Sequence, residues 1–151
     1  MKICFAASSG GHFEQLMMLK PLMDQYKSFI VTEKVPYAVN TQGVKTYYVR
    51  QVNRHEHGYW FRMLRIAFKS FYIFLKERPD VIVCTGVLAT IPLCLLMKAF
   101  HRKLIYIESF AKVSSPTETG KFLYKYADVF YVQWESMKKF YPDAKYVGGI
   151  Y

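Results

Sequence analysis

The residues best suited to chemistry fall in short clusters that each follow an apolar run. Near the start, Ser8-Ser9-Gly10-Gly11-His12 leaves a β-like run and opens a helical pattern. Two glycines let backbone come close to a ligand, and the free N–H groups of a helix start favour an anion such as phosphate. Ser9, Gly10 and Gly11 are therefore candidate phosphate contacts, although an ordinary tight turn fits equally. His12 would donate to that phosphate or act as a general base, and as a lone histidine it also fits a plain polar cap. The spacing is neither Gly-x-Gly-x-x-Gly nor a P-loop, since no Lys-Ser/Thr pair follows. Glu33 ends the second apolar run, where a dinucleotide enzyme carries its ribose-binding acid. The missing glycine fingerprint weighs more heavily against nicotinamide chemistry. Arg50, Arg54, His55 and His57 gather after the third run, as phosphate ligands or as a solvated basic loop. Thr85 and Gly86 form a turn after the fourth. Glu108, with Ser109, follows the fifth, either orienting a sugar hydroxyl, acting as a base, or serving as a hydrogen-bonded loop carboxylate. No Asp-x-Asp pair and no His/Cys cluster is present, so no metal and no other cofactor is expected.

These clusters need elements that bring them to one edge. Apolar runs at Lys2–Ala7, Ser28–Thr32, Lys45–Arg50, Asp80–Cys84, Lys103–Ile107, Val129–Val132 and Tyr146–Val147 read as strands. Between them, His12–Tyr26 (with Pro21 a kink or break), Gly58–Glu77, Leu88–Phe100, Thr117–Tyr126 and Ser136–Phe140 read as helices. Strands without clean alternation, separated by helices, predict a doubly wound, mostly parallel, Rossmann-like α/β sheet covered on both faces. Ligands in such sheets bind outside the carboxyl ends of the strands, where all the clusters above fall.

The segment from Tyr59 to Glu77 carries a different signal. At about 100° per residue, Arg62, Arg65, Lys69 and Lys76 fall within an arc of about 60°. Almost everything else is apolar, including Trp60, Phe61 and Phe68. Packing on a sheet needs a stripe only about 100° wide or a little more, so apolar surface is left over. Aromatic surface beside a basic stripe suits an interfacial membrane helix or a protein partner, with Lys and Arg reaching lipid phosphates. A helix buried between sheet and neighbours, its cations merely solvated, is the other reading.

Composition agrees with a folded basic domain. The chain has 151 residues, 52% of them hydrophobic and 18% aromatic, which excludes disorder. The formal charge is +10, and Lys45 to Arg78 holds eight Lys or Arg against two Glu, so the excess surrounds the aromatic helix. No nucleic-acid-binding signature accompanies it. Cys4, Cys84 and Cys94 sit among apolar neighbours and read as buried reduced thiols. The first apolar run is too short for a signal peptide, and Thr85, Gly86 and Pro92 interrupt the longest one. A cytoplasmic protein, peripheral on the inner face of the cell membrane, is expected.

Several blocks together resemble one family. They are Ser9-Gly10-Gly11-His12, Thr85-Gly86, Ile107-Glu108-Ser109-Phe110-Ala111-Lys112-Val113, Gly120-Lys121-Phe122-Leu123-Tyr124 and Ala127-Asp128-Val129-Phe130-Tyr131-Val132-Gln133-Trp134. The chain is similar to the PssD-type polysaccharide biosynthesis proteins, bacterial relatives of the membrane-recruiting subunit of the dolichol-linked N-acetylglucosaminyltransferase. The likeness runs from about residue 2 to residue 149. It implies the N-terminal, acceptor-side half of a GT-B glycosyltransferase, a single domain over residues 1–151, with the nucleotide-sugar half on a partner chain. By that resemblance Gly10, Gly11, His12, Thr85, Gly86 and Glu108 line the acceptor cleft. The eukaryotic subunit carries an N-terminal membrane span; here the sequence opens at its first strand, so membrane contact is expected from Trp60, Phe61, Arg62, Arg65, Phe68 and Lys69. The expected activity is transfer of a sugar from a UDP-sugar to a polyprenyl-diphosphate-linked acceptor in exopolysaccharide or capsule synthesis, by the complex and not by this chain alone. The alternative is a non-catalytic recruiter and activator of the partner.

Overall fold

The computed structural model describes residues 1–151. Seven strands form one sheet, β1 (Lys2–Ala6), β2 (Lys27–Glu33), β3 (Thr46–Val49), β4 (Val81–Cys84), β5 (Lys103–Ile107), β6 (Val129–Val132) and β7 (Lys145–Tyr146). Their spatial order is β3-β2-β1-β4-β5-β6-β7, and every neighbouring pair is parallel. The chain therefore winds outward from β1 in both directions, and the topological switch lies between β1 and β4. The expected doubly wound, Rossmann-like α/β architecture is what forms.

Five α-helices cover the sheet, α1 (Gly11–Met17), α2 (Lys20–Gln25), α3 (Tyr59–Glu77), α4 (Ile91–Ala99) and α5 (Glu118–Tyr124). The central strands are buried on both faces, which is why their sequences do not alternate. Cys4 and Ala6 of β1 join a core with Ile66, Ile73 and Phe74 of α3, Leu93 and Met97 of α4 and Leu123 of α5. Ile3 and Phe5 point the other way, toward Phe13 and Leu16 of α1 and Met23 of α2. Cys4, Cys84 and Cys94 are all buried and unbridged.

The differences from expectation lie at element ends. The helix expected over His12–Tyr26 is two helices, broken at Met18–Leu19, with Pro21 in the first turn of α2, where a missing N–H costs nothing. The helix expected from Leu88 opens with a 3₁₀ turn over Leu88–Thr90, and Ser136–Phe140 becomes a 3₁₀ turn over Glu135–Lys139. The last strand lies one residue earlier, at Lys145–Tyr146. α3 runs its full expected length and stops at Arg78, a left-handed residue whose N–H still reaches the Phe74 carbonyl, before Pro79.

Candidate functional site

The carboxyl ends of β1 to β4, with the start of α5, enclose a polar cleft of about 570 Å³. Its walls include Ser8, Ser9, Glu33, Asn53, Arg54, His55, Val87 and Glu118. The loop after β1 and the loop after β3 thus bring the predicted Ser9 and Arg54 together. Lys121 holds the Glu118 carboxyl below its ordinary range, with a smaller contribution from Arg54. Burial pushes Glu33 the other way, up from 4.5, and the Ser9 N–H only partly offsets this.

Thr85, Gly86 and His12 lie at the same sheet edge, next to the cleft-lining Ser9 and Val87 in the chain but not themselves in its walls, while Gly10 lines a separate cavity with Phe13 and Tyr37. The Thr85 hydroxyl donates to the His12 carbonyl at 2.9 Å, tying the β4 turn to the start of α1. A methyl group on Gly86 would lie 3.3 Å from His12 Cε1 and 3.3 Å from the Tyr106 hydroxyl, and φ is 125°, so any other residue would be strained there and would crowd the His12 ring. The next residue, Val87, has φ 97°, a conformation that a β-branched side chain strongly disfavours. Such strain persists only where the surroundings enforce it, and it is concentrated at ligand sites. His12 is half-buried, and its Nδ1 has no partner within the protein. The N–H groups of Gly11 and His12 precede the first intrahelical bond of α1 and are likewise free.

Glu108 is placed differently from a carboxylate facing a ligand. It is fully buried, and its oxygens accept from the Ser109 N–H at 2.8 Å, the Thr117 N–H at 3.2 Å, the Thr117 hydroxyl at 2.8 Å and the Tyr141 hydroxyl at 2.7 Å. Of the readings open for Glu108, the hydrogen-bonded loop carboxylate is the one formed. Burial and the adjacent Glu108 together drive the Tyr141 hydroxyl to remain protonated as a donor. The Thr117 hydroxyl also approaches that of Tyr106 at 3.3 Å, so the network continues toward Gly86 and His12. The Glu108 carbonyl accepts from Gln133 at 2.9 Å and Gln15 at 3.3 Å, and the Trp134 indole donates to the Phe110 carbonyl at 2.6 Å. The Glu-Ser-Phe block after β5 and the Gln-Trp block after β6 are therefore one interlocked unit.

Sequence reasoning missed Gln15, Tyr106, Thr117 and Tyr141 in this network. Gln15 gave a usable signal, a polar residue beside Phe13 and Leu16 on an apolar helix face. Tyr106 and Tyr141 gave none, because aromatic residues are common throughout the chain.

A second cavity, of about 470 Å³, opens between the end of β3 and α3. Lys34, Arg50, Arg62 and Lys69 line it, with Glu56 the single acid. Glu56 pairs with Arg62, and the other three cations form no ion pair. Arg65, also predicted, stands beside Arg50 and Lys69 in an adjoining recess.

α3 has three sectors. Tyr59, Met63, Ile66, Ile73, Phe74 and Glu77 face the protein. Trp60, Phe61, Leu64, Phe68, Phe71, Tyr72 and Leu75 are all exposed, Trp60 by 82% and Phe68 by 68%. At about 100° per residue these seven share an arc of about 120°. The basic arc of Arg62, Arg65, Lys69 and Lys76 lies between the two. The leftover apolar surface expected from the sequence is thus a continuous exposed face, and the reading of a helix buried all round does not hold. No helix of the chain is long and apolar enough to cross a membrane.

The fold is that of a Rossmann-like, doubly wound α/β domain. Among solved structures, the chain superposes on UDP-N-acetylglucosamine 2-epimerase from Rickettsia bellii with a TM-score of 0.74 at 14% identity, over 99% of this chain and 45% of that one. Acinetobacter baumannii MurG superposes with a TM-score of 0.68 at 15% identity, over 87% of this chain and 40% of that one. The chain spans less than half of either structure, and the likeness is one of fold. Residues 23–150 match the family described as oligosaccharide biosynthesis protein Alg14 like, and the chain belongs to that family. The human UDP-N-acetylglucosamine transferase subunit ALG14 is 25% identical over 99% of this chain and 83% of its own length. The Saccharomyces cerevisiae ALG14 subunit is 30% identical over 82% of this chain and 52% of its length, and the Schizosaccharomyces pombe subunit 40% identical over 46% and 36%.

Proposed function

We propose that this chain is the acceptor-side subunit of a two-chain, membrane-surface glycosyltransferase. The complex transfers a sugar from a UDP-sugar to a polyprenyl-diphosphate-linked acceptor. The observation that carries the reading is the juxtaposition of a polar cleft with an aromatic helix face flanked by cations. A lipid-linked sugar needs both, one for its glycosyl diphosphate and one for the surface in which its chain is held. The relatives' designation as subunits of a UDP-N-acetylglucosamine transferase supports a shared active site with a nucleotide-sugar-binding partner. The bacterial, PssD-like setting in exopolysaccharide or capsule synthesis is part of the same proposal, as is residence on the inner face of the cell membrane.

In this reading the Gly10-Gly11 turn, through the free N–H groups of Gly11 and His12, holds the diphosphate together with the side chains of Ser9 and Arg54. Thr85 and Gly86 fix the His12 ring at the edge beside the cleft, where its imidazole takes or orients the acceptor hydroxyl's proton. Glu108 acts at one remove, by holding Tyr141 and Thr117, whose hydroxyl meets Tyr106 beside Gly86. Trp60, Phe61 and Phe68 enter the interface while Arg62, Arg65 and Lys69 meet lipid phosphates.

The test is a transferase assay with a UDP-sugar and membrane acceptor, with and without the partner chain. Activity is expected only with both, and full activity from this chain alone would sink the split-enzyme reading. The recruiter reading is favoured by one observation, that Glu108 is locked away from the cleft. It predicts normal turnover by the His12→Ala complex at saturating partner.

A further inference from the structure

The molecule buries three glutamates, and two of them are saturated with donors. Glu77 receives Lys2 at 2.9 Å and is also bonded by Lys45 and Tyr47. Glu108 receives two N–H groups and two hydroxyls. Glu33 is the exception. It is 4% exposed, forms no ion pair and receives no side-chain hydrogen bond, yet it stands in the wall of the polar cleft. Its one bond is from the Ser9 N–H. A buried carboxylate can accept several hydrogen bonds, so one that keeps most of that capacity unused at a cavity marks a place for an incoming donor.

We propose that Glu33 is the sugar-recognising residue of this cleft, accepting hydrogen bonds from hydroxyl groups of the glycosyl unit next to the acceptor's diphosphate. Three observations support this role besides burial. A cation would be the simplest partner, but Arg54 is exposed on the loop after β3 and stands near Glu118. The cleft then offers a positive group for phosphate and, apart from it, an acceptor for hydroxyls. Its volume of about 570 Å³ suits a hexose with its diphosphate. Lastly, the conformation of β2 presents Glu33 by register alone, opposite Val49 of β3, so the carboxylate is placed by the sheet and not by a flexible loop.

This inference rests on the acceptor reading above, and the experiment separates the two. Binding to the full chain in detergent is measured by calorimetry for a short-chain polyprenyl-diphosphate N-acetylglucosamine, the same polyprenyl diphosphate without sugar, and UDP. The wild type is expected to prefer the sugar-bearing lipid. Glu33→Gln should weaken that ligand by about tenfold or more, the loss of one or two hydrogen bonds to a charged acceptor. It should leave the sugar-free lipid unchanged. Its thermal midpoint should equal or exceed that of the wild type, because a buried carboxylate with no cation beside it has been replaced by a neutral amide that can still accept from the Ser9 N–H. Equal binding of the sugar-bearing lipid by wild type and variant overturns the role of Glu33 alone. So does a variant that loses stability and both lipids together, or one that weakens only UDP. Failure of the wild type to bind either lipid overturns the acceptor reading and this inference with it.

Discussion

A methyl group on Gly120 would sit 2.3 Å from a Glu108 oxygen and 2.7 Å from each of the Thr117 and Tyr141 hydroxyls. No side chain can enter that space without separating the carboxylate from its donors. Gly120→Ala should therefore destabilise the fold by about 3 kcal/mol, seen as a lower urea midpoint. Glu108→Gln turns an acceptor of several donors into an amide that points N–H groups at other N–H and hydroxyl groups. A loss of about 2–4 kcal/mol is expected, with turnover per folded complex largely kept. His12→Ala should behave in the opposite way, with an unchanged urea midpoint and turnover lowered by about 10² to 10⁴ if the imidazole handles the proton. The sequence made His12, Ser9, Thr85, Gly86 and Arg54 legible as neighbours, because each follows a strand and a parallel sheet collects its strand ends. It could not decide the role of Glu108. That depended on Thr117 and Tyr141, nine and 33 residues away, and on a glycine whose lack of a side chain only the packing explains.

α3 is the element whose function is most exposed to test. Reversal of Arg62, Arg65 and Lys69 to Glu should weaken binding to anionic vesicles by about 100-fold or more, at about 1 kcal/mol for each lost cation and a further penalty for each new acid. Unchanged vesicle binding would remove the helix from the membrane reading. The same helix ends on an acid that holds it to the sheet edge. Burial raises the Glu77 carboxyl, but bonds from Lys45, Tyr47 and Lys2 outweigh it and bring it from 4.5 to about 2. A depressed value in the folded state means that this stabilisation is complete above about pH 4.5 and is lost as pH falls toward 2. Unfolding midpoints measured from pH 7 downward should fall more steeply through that window for the wild type than for Glu77→Gln. Equal slopes would show that the three bonds contribute nothing. The two faces of α3 were readable because helical periodicity needs no partner. The Glu77 contacts were not, since Lys2 and Lys45 lie 75 and 32 residues away and only the order β3-β2-β1-β4 brings β1 and the start of β3 to the helix's end. The break after Met17 was half legible, from Pro21, but proline within a first turn does not show which residue ends the helix before it.

At the scale of the whole molecule, one sheet separates two tasks. Its carboxyl edge gathers the polar cleft, while one of its covering helices turns an apolar face outward. The architecture was the most legible part of the sequence, since five of its strands are largely buried runs punctuated by Gly, Pro, Asp or Ser and the winding then follows from helices between them. α3 begins at Tyr59, only a few residues beyond Arg54 and His55 in the cleft wall, and therefore starts near the cleft and runs away from it. Nineteen residues at about 1.5 Å each make a straight edge of about 28 Å. A body resting on a plane along such an edge cannot pitch, and can only roll about the edge. On the membrane reading, roll is limited as well, because the cations flank the aromatic face on one side only and lipid phosphates lie at one depth. The domain would then have a single stance, with the mouth of the cleft at a fixed height over the lipids. A lipid-borne sugar would meet the enzyme by moving in two dimensions, and the search for substrate would become a matter of direction along a surface.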